Sequence, residues 1–280
     1  MIIPILPYPA ALVKRKQIRT LVITDLHIGW EMALVQKGIH VPSQTSKMLK
    51  NLTELILKHK PDELLILGDV KHTVATAETS EWHDVPGFFM ELEKQVENIS
   101  VLRGNHDGNL EPLLPESVKL LPASGVAMGD VGFFHGHQWP SPTLLSCKTL
   151  VMGHVHPAIA FRDIAGFRIS RQVWVKTRCN GLVLTKILLK KHKVKIKSTP
   201  LKALEESLNT KPKTVQLFIM PSFNEFLGGK PLNEARWNAQ FPKNESIVGP
   251  VLRSEAVDLD TAEISLLDGT FLGSLRSLKT

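Results

Sequence analysis

Cysteine is nearly absent from this chain of 280 residues: Cys147 and Cys179 are the only two. They lie far apart and share no Cys-x-x-Cys spacing. That excludes a disulfide framework and a thiolate metal site, and it fits a reducing compartment. Long apolar runs are missing too, and no stretch approaches the roughly 20 residues a membrane helix needs. The N-terminal segment is apolar but broken by Pro4, Pro7 and Pro9, and its basic residues Lys14, Arg15 and Lys16 come after the apolar part. A secretory signal has the opposite order. Together these absences lead us to expect a cytoplasmic protein with no membrane partner. There is no internal repeat and no low-complexity segment. What is present is ordinary for a globular protein, with 43% hydrophobic residues and enough length to bury a real core.

The net charge is +7, and it is not spread evenly. Residues 186–213 hold nine Lys and two Glu, so this one segment accounts for the whole excess. Basicity is therefore local, and the pI by itself does not argue for nucleic-acid binding.

Along the chain, residues 18–24, IRTLVIT, read as a buried strand that runs into Asp25 and His27. Pro42-Ser43 opens a helix whose apolar residues Met48, Leu52, Leu55 and Ile56 keep helical spacing, with Pro61 just past its end. Glu63–Leu67 is the next strand, followed by Gly68-Asp69 and His72. Residues 73–83 read as a loop, and Asp84 with Pro86 as the start of a helix that turns Phe88, Phe89, Leu92 and Val96 inward. Ile99–Leu102 then runs into Gly104-Asn105-His106-Asp107. This alternation of strand and helix predicts a parallel sheet with right-handed crossovers, and in such sheets sites form at the carboxyl ends of strands.

The second half changes character. Val126–Met128 and Val131–Phe134 flank Gly129-Asp130, a two-residue hairpin turn, and the second strand runs into His135-Gly136-His137. A short helix is expected at Ser141–Cys147. The strand Thr149–Met152 runs into Gly153-His154-Val155-His156. Residues 158–197 read as successive strands with turns near Ala165-Gly166 and Asn180-Gly181. Further strands are expected at Val215–Met220 and Ile247–Leu252, and a last hairpin at Asp268-Gly269. Two packed sheets with helices outside suit this pattern best.

Five times an apolar run stops and metal-capable residues begin: Asp25 and His27, Asp69, Asn105 and His106, His135, then His154 and His156. Each alone also resembles a turn after a strand. Jointly, and always after apolar runs, they point to one cluster at the edge of a core. In His154-x-His156 the two imidazoles of an extended segment face the same way. Asp, His and Asn without Cys suit borderline-to-hard divalent ions: manganese first, with iron, zinc, cobalt or nickel as alternatives. Seven ligands are about what two adjacent metals need when one carboxylate bridges them, and Asp69 is the natural bridge.

Asp25-x-His27, Gly68-Asp69, Gly104-Asn105-His106-Asp107, His135-Gly136 and Gly153-His154-x-His156 together resemble the signature of the calcineurin-like metallophosphoesterase superfamily. The resemblance implies an α/β fold, a four-layer αββα sandwich of two mixed sheets flanked by helices, with residues 1–280 as one domain and a Lys-rich elaboration at 186–213. It implies one metal on Asp25, His27, Asp69 and His156, a second on Asp69, Asn105, His135 and His154, and His106 as proton donor to the leaving group. More narrowly, the chain is similar to archaeal phosphoesterases related to SbcD-type repair nucleases and to bacterial DNA-ligase-associated metallophosphoesterases. The segments IMPSFNEFLGG (219–229) and LLDGTFLG (266–273) resemble that branch, and His72, three after Asp69, matches its nuclease pattern. The Asp-Arg-Gly of protein phosphatases is absent.

The expectation is thus a dinuclear-metal phosphoesterase, a phosphodiesterase or nuclease acting on DNA or RNA, with His106 oriented by Asp107 or His72. A nucleotide or cyclic-nucleotide phosphoesterase is the alternative enzyme. A non-catalytic scaffold or nucleic-acid binder is the alternative of another class, and the intact ligand set argues against it. His137 reads either as a substrate contact or as a loop histidine. Arg103 reads as a phosphate contact or a structural ion pair, and Asn224 with Gly228-Gly229 as a substrate loop or a structural turn. Trp139 reads as a base-stacking or a packing residue. KHKVKIK (191–197) reads as a lysine-protected edge strand or a contact to a phosphate backbone.

Overall fold

The computed structural model describes residues 2–194, 199–208, 210–234 and 248–279. Within them the chain is α/β, with two mixed sheets flanked by helices, as expected. It gathers into two units, one of residues 1–122 with 222–227, the other of 123–221 with 228–280.

The first unit holds a sheet in the order β1 (Ile2–Pro4), β2 (Ala11–Arg15), β3 (Ile18–Ile23), β4 (Glu63–Ile66), β5 (Asn98–Leu102), β6 (Lys119–Leu121). The first three strands are antiparallel; from β3 onward neighbours are parallel, with Ile23 opposite Ile66 and Ile66 opposite Val101. Leu21–Ile23 and Leu64–Ile66 are wholly buried. This is how strands covered on both faces read, as continuous apolar runs rather than alternation. Helix α1 (Trp30–Val35) follows β3. Helix α2 (Thr45–His59) then buries Met48, Leu52, Leu55 and Ile56. It stops where Lys60 turns left-handed and donates to the Ile56 carbonyl at 2.8 Å, just before Pro61.

Helix α3 (Thr79–Glu93) begins before the expected Asp84, inside the stretch read as loop. Its start is a capping box: Glu78 accepts from the backbone at Glu81, and the Glu81 side chain accepts from the Glu78 N–H. Pro86 therefore sits inside the helix rather than opening it. Strands β1 and β2 lie in the proline-containing N-terminal segment, where the sequence reading named no element.

The second unit holds β7 (Val126–Met128), β8 (Val131–Phe133), β9 (Thr149–Met152), β10 (Pro157–Arg162), β11 (Arg168–Arg178), β12 (Gln216–Ile219), β13 (Lys230–Pro231), β14 (Glu263–Leu266) and β15 (Phe271–Ser274). The main path runs β13-β10-β11-β12-β9-β8-β7, while β14 pairs with β11 and β15. The hairpins at 129–130 and 268–269 and the short helical turn at Pro142–Ser146 form as read.

Three readings of this half need correcting. Residues 181–191 are not strand but helix α4 (Gly181–Lys191), and Asn180-Gly181 is its cap rather than a hairpin turn. The Asn180 side-chain oxygen accepts from the N–H of Leu182 and Val183 at 3.1 and 3.2 Å. Leucines at helical spacing (Leu184, Leu188) then face the core, and Leu and Lys are good helix formers. A second helix, α5 (Pro200–Leu208), was not foreseen. Lys191 of the supposed edge strand belongs to α4, Lys193 follows with a left-handed φ of 55°, and Lys195 and Lys197 lie outside the described residues. Gly249–Leu252 forms one helical turn instead of a strand, and Ile247 is outside the described residues.

Both cysteines are free and buried, and burial pushes the Cys179 thiol up to about 12, so it stays protonated. Among the described residues no helix is long and apolar enough to cross a membrane. Because Asn180 alone caps α4 by side chain, Asn180→Ala should cost about 1 kcal/mol of stability, read as a lower midpoint in urea denaturation.

Candidate metal centre

In the first unit the donors sit in the loops that leave β3, β4 and β5 at their carboxyl ends, and the parallel pairing sends all three loops to one edge. The loops keep pairing after the strands end. Asp25 N–H donates to the Gly68 carbonyl at 3.1 Å, His27 N–H to the Asp69 carbonyl at 2.9 Å, and Ile28 N–H to the Val70 carbonyl at 2.8 Å. Asp25, His27 and Asp69 are all buried. The Thr24 hydroxyl donates to the Asp25 carboxylate at 2.8 Å and sets its rotation.

Asp107 ties two of these loops together. Its carboxylate, fully buried, accepts from the N–H of Asp69 (2.8 Å), Val70 (2.8 Å), Lys71 and Gly104 (2.7 Å). The sequence placed Asp107 beside His106 in proton transfer; these bonds make it a clamp between the β4 and β5 loops. Glycine is required at 104 because a Cβ there would stand 2.1 Å from the Asp69 Oδ1 and 2.4 Å from its backbone nitrogen.

Three imidazoles converge in this unit. His27, His72 and His106 each offer a ring nitrogen within 4.8 Å of the others. His27 Nε2 stands 3.4 Å from the Asp69 carboxylate, and His27 Nδ1 is 3.3 Å from His72 Nδ1. The His106 N–H donates to Asp69 Oδ1 at 2.8 Å, and its ring Nδ1 bonds the His72 carbonyl. A carbonyl only accepts, so Nδ1 carries a proton and Nε2 is the atom His106 presents elsewhere. His72 therefore orients His106 through its backbone, as one of the two expected partners. Burial lowers the His72 pKa, and the neighbouring His106 lowers it further.

Two buried charges that the sequence reading missed hold His72 in place. Glu81 accepts from the N–H of His72 at 2.9 Å and Thr73 at 2.7 Å. Lys71, wholly buried, donates to the carbonyls of Thr73 and Thr76. Burial lowers the Lys71 pKa, while Glu81, Asp107 and Asp69 pull it back up. The available signal was Lys71 itself, an ionic residue inside an apolar-flanked Gly-Asp-Val-Lys-His run, since lysine is almost never buried without partners.

In the second unit β8 and β9 are parallel, so His135 and the pair His154/His156 leave one edge together. The Gly153 N–H donates to the His135 carbonyl at 3.0 Å. The rings of His135 and His154 are 5.0 Å apart, and His137 lies 5.3 Å from His135 and 6.1 Å from His154. His137 thus joins this cluster instead of pointing away as a loose loop residue. Gly229 and Gly249 let other backbone pass: Cβ atoms there would come within 1.9 Å of the His156 carbonyl and 2.0 Å of the Gly136 carbonyl.

One backbone property is shared by most of the candidate ligands. Asp25, His27, Asp69, His154 and His156 all have left-handed φ, between 45° and 69°. Such a conformation costs of order 1–3 kcal/mol for a residue other than glycine, and it turns each donor out of the strand direction. Asn105 and His106 leave β5 partly exposed.

Asn224, a candidate substrate contact, is buried. Its amide donates to the Leu26 carbonyl at 3.0 Å and accepts from Phe226 N–H at 3.1 Å, while Ser222 holds the Asp25 carbonyl at 2.9 Å. Segment 222–227 therefore latches the Asp25 loop. Arg103, the candidate phosphate contact, forms an ion pair with Glu111. The donor set fits divalent cations. Two buried carboxylates among imidazoles, without thiolate, are costly to leave charged without a cation and suit hard-to-borderline ions.

The family model for calcineurin-like phosphoesterases matches residues 18–196. Among solved structures, the chain is similar to the Pseudomonas putida nuclease MPE, at 19% identity and a TM-score of 0.55 over 97% of this chain and 99% of that one. It also matches YfcE, a phosphoesterase from E. coli, at 20% identity and a TM-score of 0.33 over 51% of this chain and 73% of that one. A search of curated proteins finds no match.

The tight approach at residue 104 has a direct test. Gly104→Ala should displace the Asp69 carboxylate and cost about 1–3 kcal/mol by overpacking. Gly228→Ala, where nothing stands within 4 Å of the new Cβ, should stay within about 0.5 kcal/mol of the parent. Urea denaturation of both variants decides it, and equal stabilities would contradict the close approach.

Proposed function

The chain belongs to the calcineurin-like phosphoesterase family, and from that premise we propose a hydrolase that cuts phosphodiesters in nucleic acid with two divalent ions, manganese foremost. The observation that carries the reading is the convergence of His27, Asp69 and His106 at the ends of three parallel strands. Likeness of fold to a nuclease over nearly the full length of both chains supports the substrate class. On this reading residues 1–280 work as one metallophosphoesterase domain.

Asp25, His27, Asp69 and His156 would hold one ion, and Asp69, Asn105, His135 and His154 the other. When bound, the ions supply charge to offset the phosphate and lower the pKa of a water. The chain's own part is orientation and proton supply. His106, fixed through Nδ1 on the His72 carbonyl, offers Nε2–H to the departing oxygen. His72, Glu81 and Lys71 keep that imidazole from turning. His137, clustered with His135 and His154, is the remaining candidate for contact with the phosphate. Arg103 and Asn224 enter only as supports, through the Glu111 ion pair and the latch on Leu26.

His106→Ala should keep its metal and lose roughly 10²–10⁴ in turnover. The loss should be smallest for substrates with good leaving groups, which need little protonation. Metal analysis beside kcat on diesters of graded leaving-group pKa checks this, and an equal loss on every leaving group with metal retained would remove the acid role. Metal-stripped protein refilled with manganese should hydrolyse a p-nitrophenyl phosphodiester faster than the monoester. The reverse preference would make the enzyme a phosphatase.

A further inference from the structure

The second unit carries a cavity of about 870 Å³ that the centre does not use. Its lining combines apolar Trp139, Ile187 and Leu252 with charged Lys186, Arg253 and Glu255. Trp139 is partly buried, packs against the core of this unit and also lines the cavity. Lys186 lies on α4, a helix without a single acidic residue, and exposed Lys190 stands one turn further along the same ridge. The start of the Lys-rich segment is therefore a basic helix edge beside an aromatic pocket.

We propose that this cavity receives an unpaired base of a single-stranded nucleic acid, with Trp139 as the stacking surface and Lys186, Lys190 and Arg253 on the adjoining phosphates. The proposal rests on the hydrolase reading and names its substrate as single-stranded. Three observations converge on this occupant. The lining holds an indole among apolar side chains, and an indole accepts the face of any base. Two of its three charged residues are cationic, complementary to a phosphate backbone. Glu255, which would repel phosphate, can instead accept from the exocyclic amine of an adenine or cytosine. The placement also suits cleavage, because Trp139 follows His135 by four residues in one loop and so lies within about 14 Å of it.

The test is fluorescence anisotropy of a labelled short oligodeoxyadenylate titrated with the full chain in EDTA, at several salt concentrations. Trp139→Ala should weaken binding by about five- to 150-fold, the range for losing one base–aromatic stack, and Trp139→Phe should recover most of it. Lys186→Ala, on an exposed side chain that folding does not need, should weaken binding and reduce the salt slope by about one. Loss with the lysine variant but not with Trp139→Ala would mean backbone attraction alone and would overturn the pocket. So would wild-type affinity in every variant, no binding by the wild type, or preference for duplex over single strand. Hydrolysis of the p-nitrophenyl diester by the wild type is read separately. Turnover there with unchanged strand binding in the variants sinks the cavity and leaves the hydrolase, and the opposite pair of results does the reverse.

Discussion

One carboxylate carries the geometry of the first unit's edge. Asp107 takes four amide donors from two different loops, so the ends of β4 and β5 cannot move independently. A buried ionised carboxylate is tolerable because those N–H groups replace water, and charge-assisted bonds of this kind are about twice as strong as neutral ones. With Gly104 drawn against Asp69, the Asp69 side chain can bond the His106 amide while it faces His27. The placement of every donor in that unit depends on this knot, directly or through the paired β3 loop.

The local strain at the donors follows from the same arrangement. Strands deliver the chain to an edge, but extended backbone would carry Asp25, Asp69, His154 and His156 onward along the direction of their own strands. A left-handed residue reverses the chain within one position. The cost is borne by neighbours that hold the strained residue on both sides: Thr24 and Ser222 at Asp25, the Asp107 clamp at Asp69, and Gly229 where backbone crosses His156. The strain is thus distributed along with the candidate donors.

Much of this was legible in the sequence. The strands ending at Asp25, Asp69, Asn105, His135 and His154 were plain because buried parallel strands read as unbroken apolar runs, and the donors began where those runs stopped. Helix α2 showed itself through its spacing and its terminal Pro61. What escaped were features decided by contacts remote in the chain or by ambiguous punctuation. Asn180-Gly181 has the chemistry of a hairpin and of a helix cap alike, and only the leucine pattern behind it decides. Glu78 and Glu81 start a helix where Asp84-Pro86 looked the better opening. Lys71 and Glu81 are ordinary surface residues by composition; the apolar-flanked Gly-Asp-Val-Lys-His run is a local sign for Lys71, and Glu81 has none. Asp107 looked chemical because it adjoins His106, yet its acceptors are spent on backbone amides supplied by a loop that begins far upstream.

The latch at 222–227 has a consequence for the order in which the protein can be made. Its residues belong to the first unit although the chain on either side belongs to the second, and Asn224 grips a carbonyl 198 positions earlier. A ribosome has released all six strands of the first sheet once Leu121 is free, but the Asp25 loop must wait for about 100 further residues. At about 5–20 residues per second that is a delay of roughly 5–20 s. During that interval the nascent chain carries a nearly finished sheet with the Asp25 loop unlatched, so that loop settles only after most of the second unit has been synthesised.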